Sequence, residues 1–201
     1  MAAAQVTLPL TILLIYSLCM TIATETATAT PSSSASTNFI KSKCSFTTYP
    51  ALCYQSLSSY ASVINQSPRQ LARTAMMVSS SKAHSTKTFI TNVAKMKGLK
   101  KREMAAVKDC LEEVNDTIDR LKMSLDELSM IKGVTDKDFQ WHISNVETWM
   151  SAALTDEITC VDGFAGKGLN GSIKESIKAR IVNVAHVTSN ALALVNQYAA
   201  N

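Results

Sequence analysis

Between Arg102 and Ile131 the apolar residues recur at Met104, Val107, Leu111, Val114, Ile118, Leu121, Leu125, Leu128 and Ile131. Steps of three and four sustained over that length describe the seam of a long helix packed inside a bundle; a strand would alternate with period two. At about 100° per residue, Glu112, Asp116 and Asp119 gather on the side opposite the seam. Cys110 falls at the seam's edge, where a tether to a neighbouring helix is easy to make. The segment therefore predicts a helix with an apolar back, a cysteine on its shoulder and an acidic front.

The rest of the chain supplies what that apolar back needs. Ser67-Pro68-Arg69-Gln70 reads as a helix start, with Ser as N-cap, Pro in the first turn and Gln reaching back. This helix is expected to run to about Lys97, with Leu71, Ala75, Val78, Phe89, Val93 and Met96 inward and Gly98 ending it. Its polar middle, VSSSKAHSTK, is expected on the wetter side of the bundle. Gly133 stops the Arg102–Ile131 helix, and Thr135 or Asp136 caps the next, whose inward face carries Phe139, Ile143, Val146, Met150 and Leu154. Asp162–Gly171 is a glycine-rich loop. Ser172-Ile173-Lys174-Glu175 is a capping box that opens a last helix, with Ile173, Ile177, Ile181, Val184, Val187, Ala191, Leu194 and Tyr198 on one face. Ahead of these, residues 39–64 read as two short helical pieces around the Tyr49-Pro50 turn. The fold class is all-α: an antiparallel four-helix bundle over 67–199, preceded by a short N-terminal helical hairpin. Four prolines and six glycines are too few for a many-turned β-sandwich or barrel.

Residues Leu8–Ala23 form an apolar stretch shorter than the roughly 20 residues that span a bilayer. With Ala27-Thr28-Ala29 as a cleavage site, residues 1–29 read as a secretory signal peptide, leaving no membrane segment after cleavage. The Ser/Thr/Ala-rich stretch that follows, to Thr37, has nothing to bury and is expected to be a flexible tether over 30–37, ahead of one domain over 38–201. Removing Cys19 with the signal leaves Cys44, Cys53, Cys110 and Cys160. An even number in a secreted chain predicts two disulfides, for which three connectivities exist. Cys44 and Cys53 flank the hairpin turn, and antiparallel neighbours would bring Cys110 and Cys160 level. No C-x-x-C pair is present, and His84, His142 and His186 are not at ligand spacing from a cysteine, which argues against zinc.

The net charge of +4 is mild, and its Lys and Arg are scattered and not interleaved with aromatics, which excludes nucleic acid as the expected partner. There is no G-x-S-x-G elbow, no phosphate loop before a helix and no H-E-x-x-H. The carboxylate pairs Glu112-Glu113 and Asp156-Glu157 point apart on a helix, His142 and His186 read as surface or core-edge residues, and Trp141 and Trp149 as packing residues. The chain is not expected to be an enzyme and no cofactor is expected.

Five segments, FIKSKCSFTTYPALCYQSLSSYA, SPRQLARTAMMVS, VKDCLEEVNDTIDRLKMSLDEL, NVETWMSAALTDEITCVDGF and SNALALVN, follow one another across Phe39–Asn196. In that order, with their four cysteines, they resemble the plant invertase/pectin methylesterase inhibitor family. The resemblance implies a four-helix bundle with an N-terminal hairpin, bridges Cys44–Cys53 and Cys110–Cys160, secretion to the apoplast or cell wall, and inhibition of a target enzyme by a stoichiometric complex over its active-site cleft. It further implies that the helix after the third cysteine meets the enzyme, which places Glu112, Asp116 and Asp119 in contact together with Thr159. The invertase inhibitors carry Pro-Lys-Phe where this chain has Asp136-Lys137-Asp138-Phe139, and NVETWMSAALT is closer to the methylesterase side. Pectin methylesterase is therefore the expected partner, with acid invertase (cell-wall or vacuolar) the alternative. From another class, a secreted scaffold with weak attraction to acidic pectin is compatible with the net charge.

Three N-glycosylation sequons occur. Asn170 in the glycine loop is the expected acceptor; Asn65 precedes Ser67-Pro68; and Asn115, which shares the acidic face, is expected to be unmodified, because a glycan there would cover it.

Overall fold

The computed structural model describes residues 31–133, 135–165 and 171–200. Within them the chain forms α1 (Pro31–Cys44), α2 (Pro50–Leu57), a 3₁₀ turn (Ser58–Tyr60), α3 (Ala61–Ile64), α4 (Pro68–Ala94), α5 (Lys101–Met130), α6 (Asp136–Gly163) and α7 (Ser172–Ala199), with no strand among the described residues. The four long helices close a ring in which α4 packs on α5, α5 on α6, α6 on α7 and α7 on α4. The short helices pack on one another and reach α4 and α7. Cys44 is bonded to Cys53 and Cys110 to Cys160.

Sequence and local structure agree at most boundaries. The Ser67 hydroxyl accepts from the Gln70 amide at 3.3 Å, with Pro68 in the first turn of α4. Asn65 and Gln66, both in the left-handed region, turn the chain from α3 into α4. Lys100 N–H donates to the Glu103 carboxylate at 2.8 Å as α5 begins. Of the two residues able to cap α6, it is Thr135 that accepts from the Asp138 amide, at 3.3 Å. The hairpin is locked to α7 by Asn190, whose Oδ1 accepts from Tyr49 N–H at 2.9 Å while its Nδ2 donates to Tyr49 C=O at 3.0 Å. Tyr49 also stacks on His186, with ring centroids 3.7 Å apart.

Five expectations are corrected. Pro31–Thr37 is the start of α1 and not a tether: Ser36 is buried, so these small residues continue a helix whose later turns, at Ile40 and Cys44, are held in the core. The polar middle of α4 is only partly on the wet side: Ser81, His84 and Ser85 are exposed, but one stripe of it is buried. Ser79, Ala83, Thr86 and Ile90 keep the spacing of a buried face and are all essentially inaccessible, and the small Ser79 lets α7 approach closely enough for a hydrogen bond to Thr188. Because α4 ends at Ala94, Met96 falls beyond the helix and is half exposed, while Gly98, at φ 93°, turns the connection into α5. Ser172 does not cap α7: Gly171, at φ 152°, takes that position, and its carbonyl accepts from Glu175 N–H at 3.3 Å. Trp141 is 66% exposed and packs in no core.

The core is one cluster to which every long helix contributes: Leu71, Met76 and Ile90 from α4; Val107, Leu121 and Leu128 from α5; Val146 and Met150 from α6; Ile177, Ile181 and Leu194 from α7. Truncating one of these Leu, Ile or Met side chains to Ala costs about 2–5 kcal/mol, a large part of a typical domain's stability.

Candidate functional site

The antiparallel register of α5 and α6 fixes which residues share their outer surface. It is set by the Cys110–Cys160 bridge, with Cα atoms 4.4 Å apart. The Thr117 hydroxyl then points to Ala153 C=O and the Ser124 hydroxyl to Val146 C=O, each at 3.5 Å. Farther on, Glu127 accepts from Asn145 and pairs with His142, both at 2.8 Å. Each step along α5 is answered by an equal step back along α6.

On the solvent side of this pair, Glu112, Asp116 and Asp119 are exposed on α5 and Thr159 is exposed on α6. Glu112 and Thr159 line one groove astride the disulfide, together with Asp109, Glu113 and Asp162. Asp116 and Asp119 stand outside that groove and carry the acidic surface one and two turns farther along α5. The Thr159 hydroxyl donates to Thr155 C=O at 2.9 Å, which leaves its oxygen free to accept from a partner.

Beneath this surface lies a charge cluster that the sequence reading did not single out. Arg120 Nε donates to Asp156 Oδ2 at 2.5 Å. Burial raises the Asp156 carboxyl above its ordinary range; the Arg120 hydrogen bond and charge pull it back, and Asp116 pushes it up. Glu113 is likewise raised, by burial first, then by Asp156 and Asp116, with Arg120 opposing. Glu113 and Asp156 thus bear on one guanidinium with Asp116 close to both, and the face is an array of acceptors with negative charge to spare. At the far end, Glu127 is lowered, its hydrogen bond from Asn145 outweighing burial and His142 adding to the effect.

Glu157, next to Asp156, turns the other way. Its carboxyl is pushed up to about 8 by burial, the Thr188 hydrogen bond opposing and Asp156 adding. Thr188 Oγ1 lies 2.8 Å from Glu157 Oε1, 3.0 Å from Val184 C=O and 2.5 Å from Ser79 Oγ. One threonine proton cannot serve both oxygen acceptors. Thr188 can give its proton to the Glu157 carboxyl while accepting from the Ser79 hydroxyl, which leaves Val184 C=O to the helix backbone. The sequence held a signal for both acids: they stand four and three residues before Cys160, so they share its inward face.

The sequons differ in placement. Asn115 is half-buried with Oδ1 enclosed, Asn65 is exposed, and Asn170 lies outside the described residues. Among the described residues no helix is long and apolar enough to cross a membrane.

The sequence model of the family described as plant invertase/pectin methylesterase inhibitor matches residues 38–194. The chain is 54% identical over 172 residues to the 21 kDa protein of Daucus carota, covering 86% of this chain and 89% of that one. It is 45% identical over 198 residues to pectinesterase inhibitor 11 of Arabidopsis thaliana, covering 98% of each. The crystal structure of mutant form A of a pectin methylesterase inhibitor from Arabidopsis shares the fold, with a TM-score of 0.63 at 19% identity over 78% of this chain and 95% of that one.

Proposed function

The chain belongs to the plant invertase/pectin methylesterase inhibitor family, and from that membership we propose that it inhibits pectin methylesterase by forming a stoichiometric complex over the enzyme's active-site cleft. The observation that carries this reading is the similarity to pectinesterase inhibitor 11, which extends over nearly the whole of both chains. In the proposed complex the outer surface of α5 and α6 meets the enzyme through Glu112, Asp116, Asp119 and Thr159. Three exposed carboxylates and a free hydroxyl oxygen suit a surface of cationic and N–H donors. The inhibitor acts by occlusion and needs no group of its own to react. Secreted to the apoplast, it limits removal of methyl esters from cell-wall pectin.

Methylesterase is favoured over acid invertase by the segment entering α6. There Asp136-Lys137-Asp138-Phe139 replaces the tripeptide of the invertase inhibitors, and Phe139 packs edge-on to Tyr198, with centroids 5.6 Å apart.

Titration of the oxidised protein against both enzymes tests the reading. Saturable inhibition of methylesterase at one-to-one stoichiometry, with invertase unaffected, is the expected result; the reverse selectivity would refute it. Asp116→Asn is expected to weaken inhibition about three- to tenfold at low salt and to flatten its salt dependence, with the circular dichroism spectrum unchanged. An unchanged inhibition constant and salt slope would remove the acidic face from the interface.

A further inference from the structure

We propose that the enzyme-binding surface does not end with the acidic residues but runs about three helical turns beyond Asp119 to an apolar anchor formed by Trp141 with Met130 and Met123, and that pectin methylesterase closes on this anchor. The inference deepens the function proposed above and rests on it.

Glu112, Asp116 and Asp119 span only about 10 Å of α5 at 1.5 Å per residue. A specific protein–protein interface of standard size buries about 800 Å² on each partner, a patch roughly 30 Å across. The acidic residues are therefore too few to be the whole footprint, and the register shows where the remainder lies. Met130 is eighteen residues after Glu112 on α5, and Trp141 is eighteen residues before Thr159 on α6. Eighteen residues are five full turns, so both side chains return to the same lines of their helices about 27 Å away. Glu112 and Thr159 share a groove. Antiparallel register then carries Met130 and Trp141 to the same level at the other end, where Glu127, three residues before Met130, bonds to His142, the neighbour of Trp141.

The chemistry of the two ends differs in the way interfaces require. Trp141 is 66% exposed, Met130 57% and Met123 42%. Ile158, also exposed on α6, is directed away, lining a groove with Val182 and Ala185 of α7. Large apolar side chains grouped on one surface of a water-soluble bundle mark a contact, and tryptophan leads among residues whose truncation weakens complexes. Carboxylates are depleted at interface centres and act mainly on encounter rate. The acidic end steers and the Trp141 end holds.

Surface-binding kinetics on the intact, oxidised chain with immobilised pectin methylesterase separate the two roles. Trp141→Ala is expected to raise koff about tenfold or more while leaving kon within about twofold, with Met130→Ala giving a smaller rise in koff. Asp116→Asn, in contrast, should lower kon and its salt dependence. Since Trp141 is exposed, its truncation leaves the core intact, and an unchanged circular dichroism melt verifies this. If wild type binds and Trp141→Ala dissociates at the wild-type rate, the anchor is overturned while the functional reading stands. If wild type does not bind the enzyme at all, the functional reading fails and the anchor with it.

Discussion

Replacing Glu157 by Gln should make the protein markedly more stable at mildly alkaline pH and abolish most of its dependence on pH. Glu157 is 1% exposed, and burial pushes its carboxyl from 4.5 to about 8. Between those values the folded chain holds a proton that the unfolded chain releases. The contribution of Glu157 is therefore complete below about pH 4.5 and is lost as pH rises towards 8, at no more than about 1.4 kcal/mol per pH step. Across the interval the loss is on the order of 5 kcal/mol, comparable with the whole stability of many domains. Glutamine has nearly the same shape, cannot ionise, and its side-chain carbonyl can still accept from Thr188. Near pH 4.5 the two proteins should unfold at similar urea concentrations. Near pH 8.5 the variant should be more stable by several kcal/mol, read from urea unfolding followed by circular dichroism with the disulfides intact. Glu113 and Asp156 are raised as well and tilt the wild-type profile the same way, whereas Glu127, lowered, tilts it the other way below its ordinary range. The difference between the two proteins isolates Glu157. Parallel profiles would show that burial does not hold the proton on the Glu157 carboxyl. The wild-type profile places maximal stability on the acidic side, which suits a protein proposed to act in the apoplast.

Two further substitutions probe how the fold is fastened. Replacing Cys110 and Cys160 together by Ser opens a loop whose ends are 50 residues apart. It should cost about 4 kcal/mol by the chain-entropy account, measured as a lowered urea midpoint; an unchanged midpoint would mean that helix packing alone holds α5 to α6. Asn190→Ala removes both hydrogen bonds to the Tyr49 backbone and should cost about 1–3 kcal/mol, with amide exchange quickening first in the hairpin. Exchange that quickens evenly over the whole chain would argue against a separable clamp.

Much of the bundle was legible because it is written in spacing. The seam from Val107 to Leu128 and the inward residues of α6 and α7 are local patterns, readable one helix at a time, and Ser67 and Thr135 announce their helices by side-chain chemistry that acts within one turn. The exposed acidic front of α5 followed from the same periodicity. Where polarity was weighed above spacing, the reading failed: Ser79 and Thr86 look like surface residues by type, yet they keep the spacing of Ala83 and Ile90 and are buried with them.

By itself, then, the sequence determined the number of long helices, the faces they bury and the surface on which the carboxylates gather, because each depends on residues within a turn or two of one another. Only the tertiary structure decided what those faces meet. The bridge at Cys110–Cys160 sets one helix against the next, and that single offset puts Arg120 on Asp156, Thr159 beside Glu112 and Trp141 level with Met130. It also let α4 and α7 close over Glu157, whose proton is held by surroundings drawn from distant parts of the chain, and no window of residues around it carries that information.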